Sequence, residues 1–308
     1  MDGYPKTLAE LEGAFSTEEA CRGYLVRLRW PDGYRCPRCQ GTRAWEDGAG
    51  LFRCVACDYK TSVTAGTIFE RTRKPLVTWF RAIWLVTSQK NGASAKGVQR
   101  VLGLGSYETA WTWLHKLRRA MVRPGRDSLP GTVDVDETYV GGERPGKHGR
   151  GAEGKTLVLI ATQHDGEGIG RIRLSRVPDL RAATIGSAIQ TMVAAGSVIR
   201  TDGLRSYAGL TGLGFVHEVV RQDESVGVNL LPRCHRVASL LKRWLLGTHQ
   251  GYVSHEHLDY YLDEYTLRFN RRTSKYRGLL FYRLLQQAMA TGPASYERIV
   301  RDGRRNTP

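Results

Sequence analysis

Four cysteines stand in two pairs of like spacing, Cys36-Pro-Arg-Cys39 and Cys54-Val-Ala-Cys57, with fourteen residues between the pairs. Two residues between paired cysteines let both thiolates of one tight turn face a single ion. The intervening length suits a β-hairpin that sets the second turn opposite the first. Four thiolates leave a tetrahedral ion no open position, so Cys36, Cys39, Cys54 and Cys57 are expected to hold one structural Zn2+. Tyr34, Trp45, Phe52 and Tyr59 could pad a domain too small for a core of its own. Cys21 and Cys234 have no partner at ligand spacing and read as buried thiols.

A second chemistry is carried by acids in strands. Thr132-Val-Asp-Val-Asp-Glu-Thr-Tyr-Val140 alternates, which puts Asp134, Asp136 and Thr138 on one face and Val133, Val135 and Glu137 on the other. Acids inside a strand are costly to bury without a partner, and a divalent cation is the obvious one. Ser197-Val-Ile-Arg-Thr-Asp202 reads as another strand ending on an acid, with Gly203 where the chain turns away. Either Asp alone would read as a cap or a surface charge. Together, inside one strand and at the tip of another, they suit phosphoryl transfer by two Mg2+ ions about 3.5–4 Å apart.

The elements that must position these groups fall into three regions: 1–70, 71–124 and 125–308. The first holds an N-terminal helix and the small β ribbon. The second is all helix. Leu76 to Lys90 carries Trp79, Ile83, Trp84 and Val86 on an apolar face. Ser94 caps a short helix to Leu102, glycines 103 and 105 make a turn, and Ser106 caps a helix from Tyr107 to Met121. Helix, glycine-bearing turn, helix is the helix-turn-helix pattern, though an ordinary helical hairpin has the same outline. In the DNA-binding reading Tyr107, Glu108, Thr109 and Thr112 lie nearest the bases, and Lys116, Arg118 and Arg119 meet phosphates. The third region alternates strands (157–161, 170–175) with a helix (180–195), the pattern of an α/β domain. A glycine-rich basic loop, Gly141 to Arg150, follows the first acids, and its Arg144 and Lys147 are suited to a phosphate backbone.

Lys plus Arg outnumber Asp plus Glu by 46 to 30, a formal charge of +16 spread along the chain, which favours a nucleic-acid partner. No apolar run is long enough for a membrane helix, and the polar first residues are not those of a signal peptide. A cytoplasmic protein is expected, in which six cysteines serve metals or buried thiols rather than disulfides.

Over nearly its whole length the sequence resembles bacterial insertion-sequence transposases of the DDE superfamily with an N-terminal zinc ribbon. The likeness rests on the stretch Cys21–Trp30, the ribbon, the helical pair, Val135-Asp-Glu-Thr-Tyr-Val-Gly-Gly142, Thr201-Asp-Gly203 with Tyr207, His235 through His249, Tyr261-Leu-Asp-Glu-Tyr265 and Arg268-Phe-Asn-Arg-Arg272. It implies a ribonuclease H-like mixed sheet flanked by helices, with Asp136 as first catalytic acid and Asp202 as second. In many relatives a Glu seven positions before a helical Lys completes the site. Here that Lys is Lys242, and the position holds His235. A neutral imidazole can ligate a divalent ion or position water but brings no negative charge, so weaker Mg2+ binding and tolerance of Mn2+ are expected. Glu137, Glu218 and Glu224 are substitute acids, and Asp134 is placed to support the first metal from behind. The resemblance further implies double-stranded DNA as partner, at least a dimer to pair two transposon ends, and a nucleoid-associated protein. Lys242, Arg243, Arg268, Arg271 and Arg272 would bind the end. The competing readings are a DNA-binding regulator, an inactive derivative, or a structure-specific nuclease.

Overall fold

The computed structural model of the chain describes residues 3–47, 50–122, 125–141, 155–220, 230–251 and 253–302. Two compact units emerge among the described residues, one from the stretch up to 123 together with 274–302 and one within 124–273.

The first unit opens with helices α1 (Leu8–Ala14) and α2 (Glu18–Arg29). Thr7 and Thr17 cap them, each hydroxyl accepting from a backbone N–H three residues on. Three short strands follow, β1 (Ala44–Glu46), β2 (Leu51–Cys54) and β3 (Lys60–Ser62), paired antiparallel in chain order. β1 and β2 form the expected hairpin, with Ala44 opposite Cys54. Trp30, Tyr34 and Phe52 pack ring against ring beside it. Helix α3 (Leu76–Ser88) has no capping side chain of its own. The Glu18 carboxylate accepts from the Leu76 and Val77 N–H groups instead, at 2.9 Å each. α4 (Ala95–Leu102) and α5 (Tyr107–Ala120) start at Ser94 and Ser106, whose hydroxyls accept from Gly97 and Thr109 N–H. Gly103 ends α4 at φ +62°, the left-handed conformation that glycine adopts without penalty.

The second unit is built on a five-stranded mixed sheet. Its strands are β4 (Thr132–Val140), β5 (Thr156–Asp165), β6 (Gly168–Val177), β7 (Val198–Thr201) and β8 (Val216–Val219), with α6 (Ala182–Met192) between β6 and β7. The order is β6-β5-β4-β7-β8. The β4–β5 and β5–β6 pairs are antiparallel, while β7 runs parallel to β4 and β8 parallel to β7. Helices α7 (Pro232–His249) and α8 (Leu258–Asn270) complete it. Alternation along β4 sorts the two faces. Val133 and Val135 join Ile185, Ile189 and Tyr207 in one core, while Val140 joins Val237, Leu241 and Leu262 from α7 and α8 in the other. The edge strand β8 was not foreseen from the sequence, since its four residues are mostly exposed and carry little apolar alternation.

α9 (Arg277–Ala290) and α10 (Tyr296–Asp302) return the chain to the first unit. α9 packs on α2, α3 and α5, with Phe281 fully buried against Phe15, Phe80 and Trp84. The sequence partition ran a single catalytic domain to residue 308, whereas residues 274–302 cluster with the N-terminal unit. The apolar face of α9 is satisfied by α2 and α3, a long-range pairing that local composition does not encode. Among the described residues no helix is long and apolar enough to cross a membrane.

Candidate metal centre and carboxylate site

The four ribbon cysteines converge. Cys36 Sγ lies 3.7 Å from Cys57 Sγ, and Cys39 Sγ lies 3.5 Å from Cys54 Sγ. Zinc–sulfur bonds of about 2.3 Å at tetrahedral angles put neighbouring sulfurs about 3.8 Å apart, so the quartet fits the ion. All four sulfurs lie within 4.8 Å of one another, a grouping that no other set of three or more Cys, His, Asp or Glu reaches among the described residues. Gly41 makes room for it. A Cβ there would sit 3.3 Å from both Cys39 Sγ and Cys54 Sγ, and the Gly41 carbonyl accepts from Cys36 N–H. Cys21 and Cys234 are fully buried thiols, as their lack of partners suggested.

In the second unit β4 and β7 bring the acids together. Their parallel register pairs Asp134 with Arg200, and continuing it by two residues runs Asp136 beside Asp202 at the carboxyl end of β7. Gly203 turns the chain at φ +83°, and a Cβ there would stand 2.6 Å from Val219 Cγ1 of the adjoining strand. A side chain at this position would push β8 away and move Asp202 with it. Asp202 Oδ1 accepts from Leu204 N–H at 3.0 Å, which steadies its turn.

α7 supplies the third group. His235 Nε2 lies 3.1 Å from Asp136 Oδ2, and the imidazole is about half exposed while the carboxylate is mostly covered. Burial pushes the Asp136 carboxyl up to about 6; the Glu137 N–H and His235 act the other way, and the Glu137 and Asp202 charges add to the rise. A carboxylate lifted by burial among like charges is one that a cation relieves. The Asp136, Asp202 and His235 ligand atoms are more widely spread than the thiol quartet.

Glu137 points to the opposite face, as the period of two requires, and accepts from the Tyr207 hydroxyl at 2.8 Å. Burial first, then the Glu137, Asp136 and Asp202 charges, drive the Tyr207 hydroxyl far above its ordinary value, so it remains a donor. Glu218 lies 3.8 Å from Arg200, and Glu224 lies outside the described residues.

The expected DNA contacts divide. Tyr107 is half exposed at the start of α5, but Thr109 and Thr112 are partly covered. Lys116 and Arg119 sit deeper than an open phosphate-binding face would put them. Burial, then the Arg119 charge, lowers the Lys116 ammonium, and Arg118 is fully buried. His235, Lys242 and Arg243 share the outer face of α7, with Lys242 two turns from His235, roughly 10 Å along the axis. Arg268 is mostly buried and pairs with buried Glu264 at 2.6 Å. Arg272 donates to the Ile169, Gly170 and Phe269 carbonyls and lies over the Phe269 ring. These two brace α8, while Arg271 is exposed at its end. Arg144 and Lys147 lie outside the described residues.

Sequence reasoning missed the surroundings of Asp134. Its carboxylate is fully buried and meets His164 at 2.7 Å, Arg200 at 3.4 Å and Arg233 at 3.8 Å. The available signal was spacing: Arg200 stands two residues before Asp202, and Arg233 two before His235.

A four-thiol ribbon, a set of helices and an acid-bearing mixed sheet define a modular protein with a thiol quartet fitted to a structural metal and a second, carboxylate-lined site. Residues 128–270 match the family model of the ISXO2-like transposase domain, and residues 16–60 match the transposase zinc-ribbon domain. The chain thus matches the insertion-sequence transposases that carry an N-terminal zinc ribbon. It is 29% identical over 281 residues to an uncharacterized protein in transposable element ISH50 of Halobacterium salinarum, spanning 82% of this chain and 91% of that protein. A crystal structure of a pre-cleavage Mos1 transpososome overlaps 73% of this chain and 79% of that one at 14% identity, with a TM-score of 0.29, a likeness too loose to argue from.

Proposed function

We propose that this transposase binds the terminal inverted repeats of its element, cleaves the ends and joins the freed 3′ hydroxyls to target DNA. The observation that carries the reading is the Asp136–His235 contact beside Asp202, inside residues that match a transposase domain. We read the second unit as a ribonuclease H-like core and α4–α5 as a helix-turn-helix, working with the ribbon to hold double-stranded DNA. The parallel β4–β7 pair, with an acid inside one strand and an acid at the tip of the other, supports the first assignment. The capped α4–α5 pair around Gly103 and the exposed Tyr107 support the second.

Asp136 and Asp202 would hold two Mg2+ ions, or Mn2+ in their place, with His235 as a neutral donor. When bound, such ions activate the attacking oxygen and stabilise the leaving one. The chain's own work is placement. Asp136 keeps its carboxylate aimed by accepting from Glu137 N–H at 2.9 Å, and His235 faces its other oxygen. Tyr207 holds Glu137 and so the reverse face of the same strand. Lys242 and Arg243 extend the exposed face of α7 away from His235, a track for the phosphate backbone. Arg144, Lys147 and Arg271 are the further proposed backbone contacts. Two ends must be paired for joining, which asks for at least a dimer.

The test is strand transfer with a labelled end duplex, target plasmid and Mg2+ or Mn2+, beside Asp136→Ala and His235→Ala. Joined product that is lost in both variants is the expected result. Joining that survives His235→Ala keeps the enzyme but moves the third ligand elsewhere. A wild type that binds the ends yet neither cuts nor joins with either metal leaves a DNA-binding regulator or an inactive derivative.

A further inference from the structure

Buried Asp134 has no part in the chemistry above, yet it meets every element that supplies that chemistry. It lies two residues before Asp136 on the same face of β4. Its Oδ1 accepts from His164 Nε2 on β5 at 2.7 Å and from Arg200 Nη1 on β7 at 3.4 Å. Its Oδ2 accepts no hydrogen bond and faces Arg233 Nη1 on α7 at 3.8 Å. Between these contacts the Cys234 thiol reaches the Asp134 carbonyl at 3.4 Å.

The arrangement makes the first turn of α7 dock on β4 at two points. Arg233 meets Asp134, and His235 meets Asp136. Arg233 is further held by the carbonyls of Gly166, Glu167 and Gly168 in the β5–β6 turn. On the other side Arg200, two residues before Asp202, is drawn to the same carboxylate. Buried charge networks of this kind add little net stability over a packed apolar cluster, but they fix which groups face which. An apolar residue at 134 would fill the space without telling β7 and α7 where to stop.

We propose that Asp134 is a positioning residue that sets Asp202, through Arg200, and His235, through Arg233, around Asp136. The inference rests on the strand-transfer reading for its kinetic arm and on structure alone for its second arm. Asp134→Asn keeps the shape and removes the charge. Expected are unchanged zinc content and end-DNA Kd, unchanged KM for the end duplex, and a kcat for joining lower by about tenfold or more, the size typical of groups that orient a metal site. Asp134→Asn/Arg233→Gln should join no more slowly than Asp134→Asn alone, because the second change cuts a link the first has already cut. Hydrogen exchange gives the arm that does not depend on activity: amides 235–238, the first bonded turn of α7, should lose protection selectively in Asp134→Asn. Arg233→Gln cuts the same link from the helix side and should give the same two signatures if Asp134→Asn does not fold. An unchanged kcat, a double variant slower by the product of the two single effects, or protection lost evenly across the second unit would overturn the proposal. If the wild type joins nothing, the reading of the reaction fails, and the exchange pattern still decides for or against Asp134.

Discussion

Asp136→Asn should stabilise the metal-free protein while abolishing joining. The folded carboxyl is raised from 3.8 to about 6, mainly by burial. At about 1.4 kcal/mol per unit, ionised Asp136 burdens the fold by about 3 kcal/mol. The sign follows from proton binding: between the two values the folded state holds the proton and the unfolded state does not, so stability falls as pH rises through that window. Below the window the wild type carries no burden, and above it the burden is full. Asparagine never ionises, so its advantage should be about half-grown at pH 5 and complete near pH 7.5. For a unit of 150 residues that is roughly 6–12 °C in Tm. Differential scanning calorimetry of both proteins, with chelator present for divalent ions but zinc retained, measures the gap at each pH. Adding Mn2+ to the wild type should narrow it. A variant no more stable than wild type at pH 7.5, or a gap that does not grow between pH 5 and 7.5, would refute the reasoning.

The ribbon should bind one zinc per chain, and Cys54→Ser should release it; hydrogen exchange across 34–62 then rises, while the second unit keeps its protection. Gly41→Ala crowds two sulfurs at 3.3 Å and should weaken zinc binding about tenfold or more in a competition titration with a chromogenic chelator. Arg268→Met removes one partner of buried Glu264 and should destabilise the second unit by about 1.5–3 kcal/mol in urea unfolding, the size of a hydrogen bond to a charged group. Were Arg268 chiefly a DNA contact, unfolding would be unchanged and only end binding would weaken.

The parts legible in the sequence were those set by local spacing. Paired cysteines fourteen residues apart foretold the hairpin and its thiol quartet, and serines 94 and 106 foretold two helix starts. Alternation in β4 correctly divided Asp136 from Glu137. What spacing could not supply was partnership at long range. Asp134 and Asp136 look alike in sequence, which suggests one acid for a metal and a second supporting that metal from behind. Arg200 and Arg233 arrive 66 and 99 residues later to claim the first and leave the second. Arg272 resembles a free phosphate-binding charge until α8 lies against β6 and brings it to the Ile169 and Gly170 carbonyls. The Arg268–Glu264 pair is different: four residues apart on one helix, it was open to local reading.

The return of the chain to its first unit has a consequence for how the protein is made. Ribosomes deliver residues in order, and domains usually fold as they emerge, N-terminal first. Here α9 is the surface on which α2, α3 and α5 close, so the unit begun at the N-terminus lacks a wall until residue 290 has been synthesised. At 5–20 residues per second the helices that end at Ala120 wait roughly 10–30 s for it. The 150-residue second unit, contiguous in the chain, can mature in that interval. Assembly therefore runs from the inside of the sequence outward, and a message truncated before codon 277 yields a formed carboxylate site on a chain whose ribbon-bearing unit never closes.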